Sequence, residues 1–159
     1  DIIMCESMSS IFEGSNASRV AKEFSDRVWL SWTNRGHQPD QLPSTEALSK
    51  AVDFSIEADI ECTLINCSHA DMASNSIKEL KRAPRFGIFA NSSTFKEVDL
   101  SIATKDVDAI HHLNSEKISA KEYAMIALNW VKEGAYVVGG CCGTTVEHTR
   151  EIKLLMDSL

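Results

Sequence analysis

The chain has 159 residues, 25% of them charged and 43% hydrophobic, which suits one soluble globular domain, residues 1–159, with a sizeable core. Its formal net charge of −7 is offset by no run of Lys or Arg, and this argues against a nucleic-acid partner. The longest apolar runs are strand-sized, so no membrane span is expected.

The first apolar run, IIMC (2–5), reads as a strand with Glu6 at its end. The opening DIIMCESM is too short for a signal peptide and lacks a basic flank. Helical spacing follows in SSIFEGSNASRVAKEF (9–24), and VWLSWT (28–33) is the second strand. Trp29 and Trp32 stand three apart on it and so face opposite sides, with Trp32 the pocket-side candidate. Helix-period residues recur in STEALSKAVDFSIEA (44–58), and CTLIN (62–66) is the third strand. MASNSIKELKR (72–82) reads as a helix and FGIFA (86–90) as the fourth strand. Residues 92–118 are polar and are expected to loop across the carboxyl ends of the strands. The clearest helix is SAKEYAMIALNWVKEG (119–134), with Ser119 and Glu122 as a capping box and Gly134 as its stop. AYVVGG (135–140) is the fifth strand, and TTVEHTREIKLLMDSL (144–159) the last helix, with Thr144 and Glu147 as its box. Strands and helices alternate throughout, the pattern of a parallel α/β protein.

Cysteines at 5, 62, 67, 141 and 142 make an odd count without a secretion signal. Free or metal-bound thiols in a reducing, cytoplasmic compartment are expected from this. In parallel α/β proteins functional groups gather at the carboxyl ends of strands. Glu6, Asn66–Cys67, Asn91–Ser92 and Cys141–Cys142 all fall there. Strand parity groups Cys67 with Ile65 and Thr63, and Glu6 with Met4 and Ile2. It separates Cys67 and Glu6, as candidates for one site, from Cys5 and Cys62, as packing residues. In GGCCGTT (139–145) two adjacent side chains would serve opposite faces unless the backbone turns, and Gly139–Gly140 permits a turn. Three thiolates from two strand ends make a soft site for zinc with one position open, to which a substrate thiol is the natural ligand. The competing readings are three apolar core thiols, a strained disulfide between Cys141 and Cys142, and thiol redox chemistry at that pair. His69 is read as a solvated loop residue, the alternative being a contact to substrate or to a ligand of the metal, and the His111–His112 pair is expected to lie in the long loop without partners. Asn91 is read either as orienting a substrate carboxylate or as capping a loop.

LINC (64–67) together with GGCCGTT (139–145) resembles the homocysteine S-methyltransferase family. FANSS (89–93) is similar to a strand segment of that family, and NWVKEGAYVVGGCCGTTVEH carries the match almost continuously. Val146 departs from it, since the family commonly has proline there. The resemblance implies zinc held by Cys67, Cys141 and Cys142, and Glu6 holding the amino group of homocysteine. It implies methyl transfer from a small-molecule donor to the homocysteine thiol, giving methionine, with the donor left open. It further implies a (β/α)₈ barrel of which this chain is the C-terminal half, about strands 4–8, with Asp1 beginning inside strand four. Open sheet edges would then associate with a second copy or with a missing N-terminal half. The second reading is an incomplete barrel fragment that binds zinc and needs a partner chain for activity.

Overall fold

A computed structural model describes residues 1–95 and 115–158. Its elements run β1 (Ile3–Met8), α1 (Ile11–Lys22), β2 (Val28–Trp32), α2 (Leu48–Glu57), β3 (Cys62–His69), α3 (Ala70–Asn75), α4 (Ile77–Leu80) and β4 (Phe86–Asn91). They continue as β5 (Ser93–Phe95), β6 (Ser115–Lys117), α5 (Ala120–Lys132), β7 (Val137–Gly140) and α6 (Val146–Met156). Five strands form one parallel sheet in the order β1-β2-β3-β4-β7, so each new strand is laid beside the last one of the sheet. The α/β alternation expected from the apolar runs is therefore present as a parallel sheet. No helix among the described residues is long and apolar enough to cross a membrane.

Register divides the strands into two faces. Leu30 pairs with Thr63, Trp32 with Ile65, and Ile65 with Ile88, and this face packs on the helices. There Val28, Leu30, Ile65 and Ile88 join Leu48, Val52, Leu80, Tyr123 and Trp130 in one buried core. Burying each of these large side chains stabilises the fold by roughly 1.5–3 kcal/mol. Trp29, Cys62, Leu64, Gly87 and Phe89 lie on the opposite face by the same register.

Trp32 is a correction to the sequence reading. It is not on a pocket but fully buried under the helices, with Nε1 donating to Ser55 Oγ at 3.1 Å and its ring edge-on to Phe54. Its pairing with Ile65 puts it there; Trp29, facing the other way, meets Tyr136 edge-on at 6.3 Å.

Ser119 and Glu122 form the expected capping box of α5, and Gly134, at φ +100°, ends that helix. The cap of α6 differs: it is Thr145, whose N–H donates to His148 Nδ1 at 3.1 Å. Thr144 is unavailable as a cap because its hydroxyl donates to the Cys141 carbonyl at 2.7 Å. The helix expected over 72–82 is two short helices that meet at Ser76, whose buried hydroxyl donates to carbonyls including that of Pro39. Part of the segment expected as loop is an antiparallel ribbon, with Ser93 opposite Lys117 and Phe95 opposite Ser115. His111 and His112 lie outside the described residues.

Gly14 on α1 offers a sharp check of this packing. A Cβ there would stand 2.4 Å from Trp32 Cη2, and the indole is walled in on its other sides. Alanine in a helix interior is ordinarily favoured over glycine by about 1 kcal/mol. Here the sign reverses: Gly14→Ala is expected to destabilise by roughly 1–3 kcal/mol, read as a lower denaturant midpoint.

Candidate metal centre

The ends of β3, β4 and β7 build the site. Cys141 continues the ladder, donating its N–H to the Ala90 carbonyl at 2.8 Å, and the chain then turns. Gly143 takes the turn at φ +77°, a conformation in which a side chain would be strained. The end of β4 grips Cys142 from both sides. Asn91 Oδ1 accepts the Cys142 N–H at 3.1 Å, and the Ser92 N–H donates to the Cys142 carbonyl at 3.0 Å. From the helix side, the buried Tyr123 hydroxyl lies 2.8 Å from the carbonyl oxygens of both Ala90 and Gly139, holding β4 against β7.

Alternation alone does not bring Cys67 here. Its parity mates Ile65 and Thr63 belong to the helix-facing side, whereas Met4, the parity mate of Glu6, pairs with Trp29 on the other. The expectation that parity puts Cys67 and Glu6 together is thus corrected. Cys67 departs from the pleat instead, at φ 52°, where the register of β3 against β4 shifts between Asn66 and His69. Asn66 fixes this bend: its Oδ1 accepts the Ser7 N–H at 3.0 Å and the Ser31 hydroxyl at 2.6 Å, and its Nδ2 donates to Ser7 Oγ at 2.7 Å. One buried side chain ties β1, β2 and β3 together immediately before the cysteine. The sequence reading used Asn66 only as part of a motif; its being polar at the end of an apolar strand was the available signal.

The three sulfurs converge. Cys67 Sγ lies 3.6 Å from Cys142 Sγ, Cys142 Sγ lies 4.0 Å from Cys141 Sγ, and all three fall within 4.8 Å of one another. Thiolates at about 2.3 Å from a tetrahedral metal ion stand about 3.8 Å apart, so the cluster fits such an ion with little adjustment. All five cysteines are free thiols. Cys5 is half-buried against the core and Cys62 is fully buried, in keeping with packing roles.

Burial and crowding keep Cys67 and Cys141 protonated in the absence of a cation. Burial, and then the neighbouring sulfurs, push the Cys67 thiol up to about 12. Cys141 is raised by burial and by the negative charge that Cys142 would carry. Three crowded thiolates repel one another until a cation arrives, so metal binding must expel protons and strengthens as pH rises.

A cleft of about 270 Å³ opens beside Cys67 and Cys142, walled by Ser68, His69, Asn91 and Ser92. His69 is a correction: it is not a solvated loop residue but buried, with Nδ1 2.9 Å from Ser93 Oγ and its ring edge-on to Phe95. The strand was expected to end at Asn66, and its continuation to His69 is what tucks the imidazole in. Glu6 is exposed on β1, next to the Ser7 that Asn66 holds, and does not line the cleft.

Fold and site together define a class: a parallel α/β chain with a three-thiol, metal-competent centre at the carboxyl ends of its strands. The family model described as homocysteine S-methyltransferase matches residues 1–156, and the chain belongs to that family. It is 26% identical over 162 residues to homocysteine S-methyltransferase YbgG of Bacillus subtilis (strain 168), a match covering 100% of this chain and 48% of that protein. The apo form of the homocysteine methyltransferase MmuM from Escherichia coli superposes with a TM-score of 0.68 at 18% identity, covering 97% of this chain and 49% of that one. The metallated form of MmuM gives 0.67 at 18% identity, with 97% and 45% covered. These two likenesses concern the fold. The chain spans about half the length of the curated relative it matches.

The grip of Asn91 on Cys142 can be tested. Asn91→Ala is expected to weaken metal binding by roughly 10–100-fold while leaving the chain folded, as measured by competition with a chelator of known affinity.

Proposed function

We propose that the chain carries the zinc centre of a methyltransferase that moves a methyl group from a small-molecule donor to the thiol of homocysteine, giving methionine. The observation that carries this reading is the convergence of Cys67, Cys141 and Cys142 at sulfur spacings of 3.6 and 4.0 Å, in a chain of this family. Those three residues would hold Zn²⁺ and leave one tetrahedral position open. When bound, zinc supplies a Lewis acid that lowers the pKa of a thiol, keeping the homocysteine sulfur nucleophilic near neutral pH. In the transfer a bond forms between that sulfur and the donor's methyl carbon. The bond from methyl to donor breaks with its electron pair left on the donor, and the thiol proton passes to solvent. Glu6, exposed on β1 and outside the cleft, would hold the substrate's ammonium group once further chain completes the pocket, and Asn91 keeps Cys142 in place at the edge of the cleft. Holding acceptor and donor in one orientation supplies much of the rate.

The sequential strand order supports reading the sheet as five consecutive strands of a (β/α)₈ barrel, about strands 4–8. Strands β1 and β7 are the sheet's edges, where a further chain segment or a second copy would pair. Free thiols accord with a reducing, cytoplasmic setting. The exposure of Glu6 favours a second reading, in which the chain binds zinc but needs a partner chain to complete the substrate pocket.

Elemental analysis of the wild type beside Cys67→Ser and Cys142→Ser separates these readings. About one zinc per chain, lost in both variants, is expected, with methionine formed from homocysteine and a methyl donor by the wild type alone. Zinc without turnover would select the second reading. A folded wild type that takes up no zinc would overturn both.

A further inference from the structure

We infer that His148 is a positioning residue for the thiol centre: its neutral imidazole, with the proton on Nε2, fixes the exit of the turn that carries Cys141 and Cys142. The inference rests on the metal-centre reading above and adds to it a residue outside the cleft.

The turn is tethered in stages. At its start Cys141 belongs to the ladder, and Asn91 and Ser92 hold the backbone of Cys142. Next, the Thr144 N–H and hydroxyl both donate to the Cys141 carbonyl, at 3.1 and 2.7 Å, which closes the turn on itself. None of these bonds reaches α6. The side-chain tie to that helix is His148, whose Nδ1 accepts the Thr145 N–H at 3.1 Å and lies 3.1 Å from the Thr145 hydroxyl.

Packing fixes the imidazole for this task. His148 is buried, and its ring meets that of Tyr123 edge-on at 5.7 Å. Tyr123 is the residue whose hydroxyl holds β4 against β7 through the carbonyl oxygens of Ala90 and Gly139. His148 thus touches both the helix start after the cysteines and the clamp on the strands before them.

The place of the proton follows from the contacts. A ring nitrogen that accepts an N–H offers a lone pair, so the proton is on Nε2. Nε2 is buried and has no hydrogen-bond partner among the described residues. An unpartnered buried N–H is costly, and a fold keeps one where the arrangement serves another end. Here it leaves Nδ1 free to accept. Glu or Gln is the usual residue at this third helical position. A carboxylate would bury a negative charge in the segment that must gather thiolates, whereas the imidazole makes the same bond without one.

Zinc affinity would be measured by chelator competition for wild type, His148→Ala, His148→Gln and Ile152→Val, with circular dichroism and the denaturant midpoint as controls for the fold. Ile152 is buried about two helical turns further along α6, so shortening it loosens the helix without touching the cap. His148→Ala is expected to weaken zinc binding about tenfold. His148→Gln, whose amide oxygen can accept the Thr145 N–H, should restore most of that loss, and Ile152→Val should leave affinity unchanged. Proton–nitrogen correlation spectra of the zinc-loaded wild type should show the His148 ring protonated on Nε2 and bare on Nδ1. A ring protonated on Nδ1, unchanged affinity in a folded His148→Ala, no rescue in His148→Gln, or an equal loss in Ile152→Val would each overturn the inference. The ring is read on the wild type, so that arm decides even where His148→Ala does not fold. A wild type that binds no zinc would overturn the metal-centre reading and this inference with it, and is seen before any variant is compared.

Discussion

Two strand spacings, about 9.6 Å, separate β3 from β7 in the sheet, because β4 lies between them. The sulfurs of Cys67 and Cys142 nevertheless stand 3.6 Å apart. The hold of Asn91 and Ser92 on the backbone of Cys142 closes much of that gap, by drawing the turn after β7 over the end of β4. Close packing keeps it there: a Cβ on Gly143 would lie 2.7 Å from Ser92 Oγ, so the turn sits directly on β4. Everything proposed about metal and substrate depends on this fold-over.

The other side of the gap is closed by Cys67. A non-glycine residue at positive φ costs of order 1–3 kcal/mol and persists only where its surroundings over-determine it. Asn66 does this with three hydrogen bonds from a buried amide, at 3.0, 2.6 and 2.7 Å. Each such bond contributes about 1 kcal/mol net, and leaving Asn66 unsatisfied in the interior would cost more. The bend and its anchor are therefore comparable in size. The same anchor fixes Ser7, and so the chain position of Glu6 relative to the thiols.

The five strands and the α5 cap were legible because each depends on local pattern, such as apolar runs of strand length and the spacing of Ser119 and Glu122. Cys67, Cys141 and Cys142 were legible as a set because all three fall at strand ends in segments that match one family pattern, but the turn expected at Gly139–Gly140 lies at Gly143, those two glycines pairing with β4 in the sheet. What failed were inferences that extend a regular rule past its end. Parity misplaced Cys67 because the strand stops being regular at that residue. Trp32 was misread because which face of a strand meets helices is set by its neighbours' register, which no local pattern displays. His69 was taken for a loop residue because β3 runs three residues past its apolar run. The Thr144 cap gave way to Thr145 because the turn after Cys142 recruits the Thr144 hydroxyl for itself.

X-ray absorption at the zinc edge tests the central claim most directly, since it counts the sulfur atoms around the metal. The zinc-loaded chain should show three sulfur scatterers at about 2.3 Å and one lighter neighbour. Saturating homocysteine should raise the sulfur count to four. A shell of nitrogen and oxygen, or a sulfur count unmoved by homocysteine, would contradict the account.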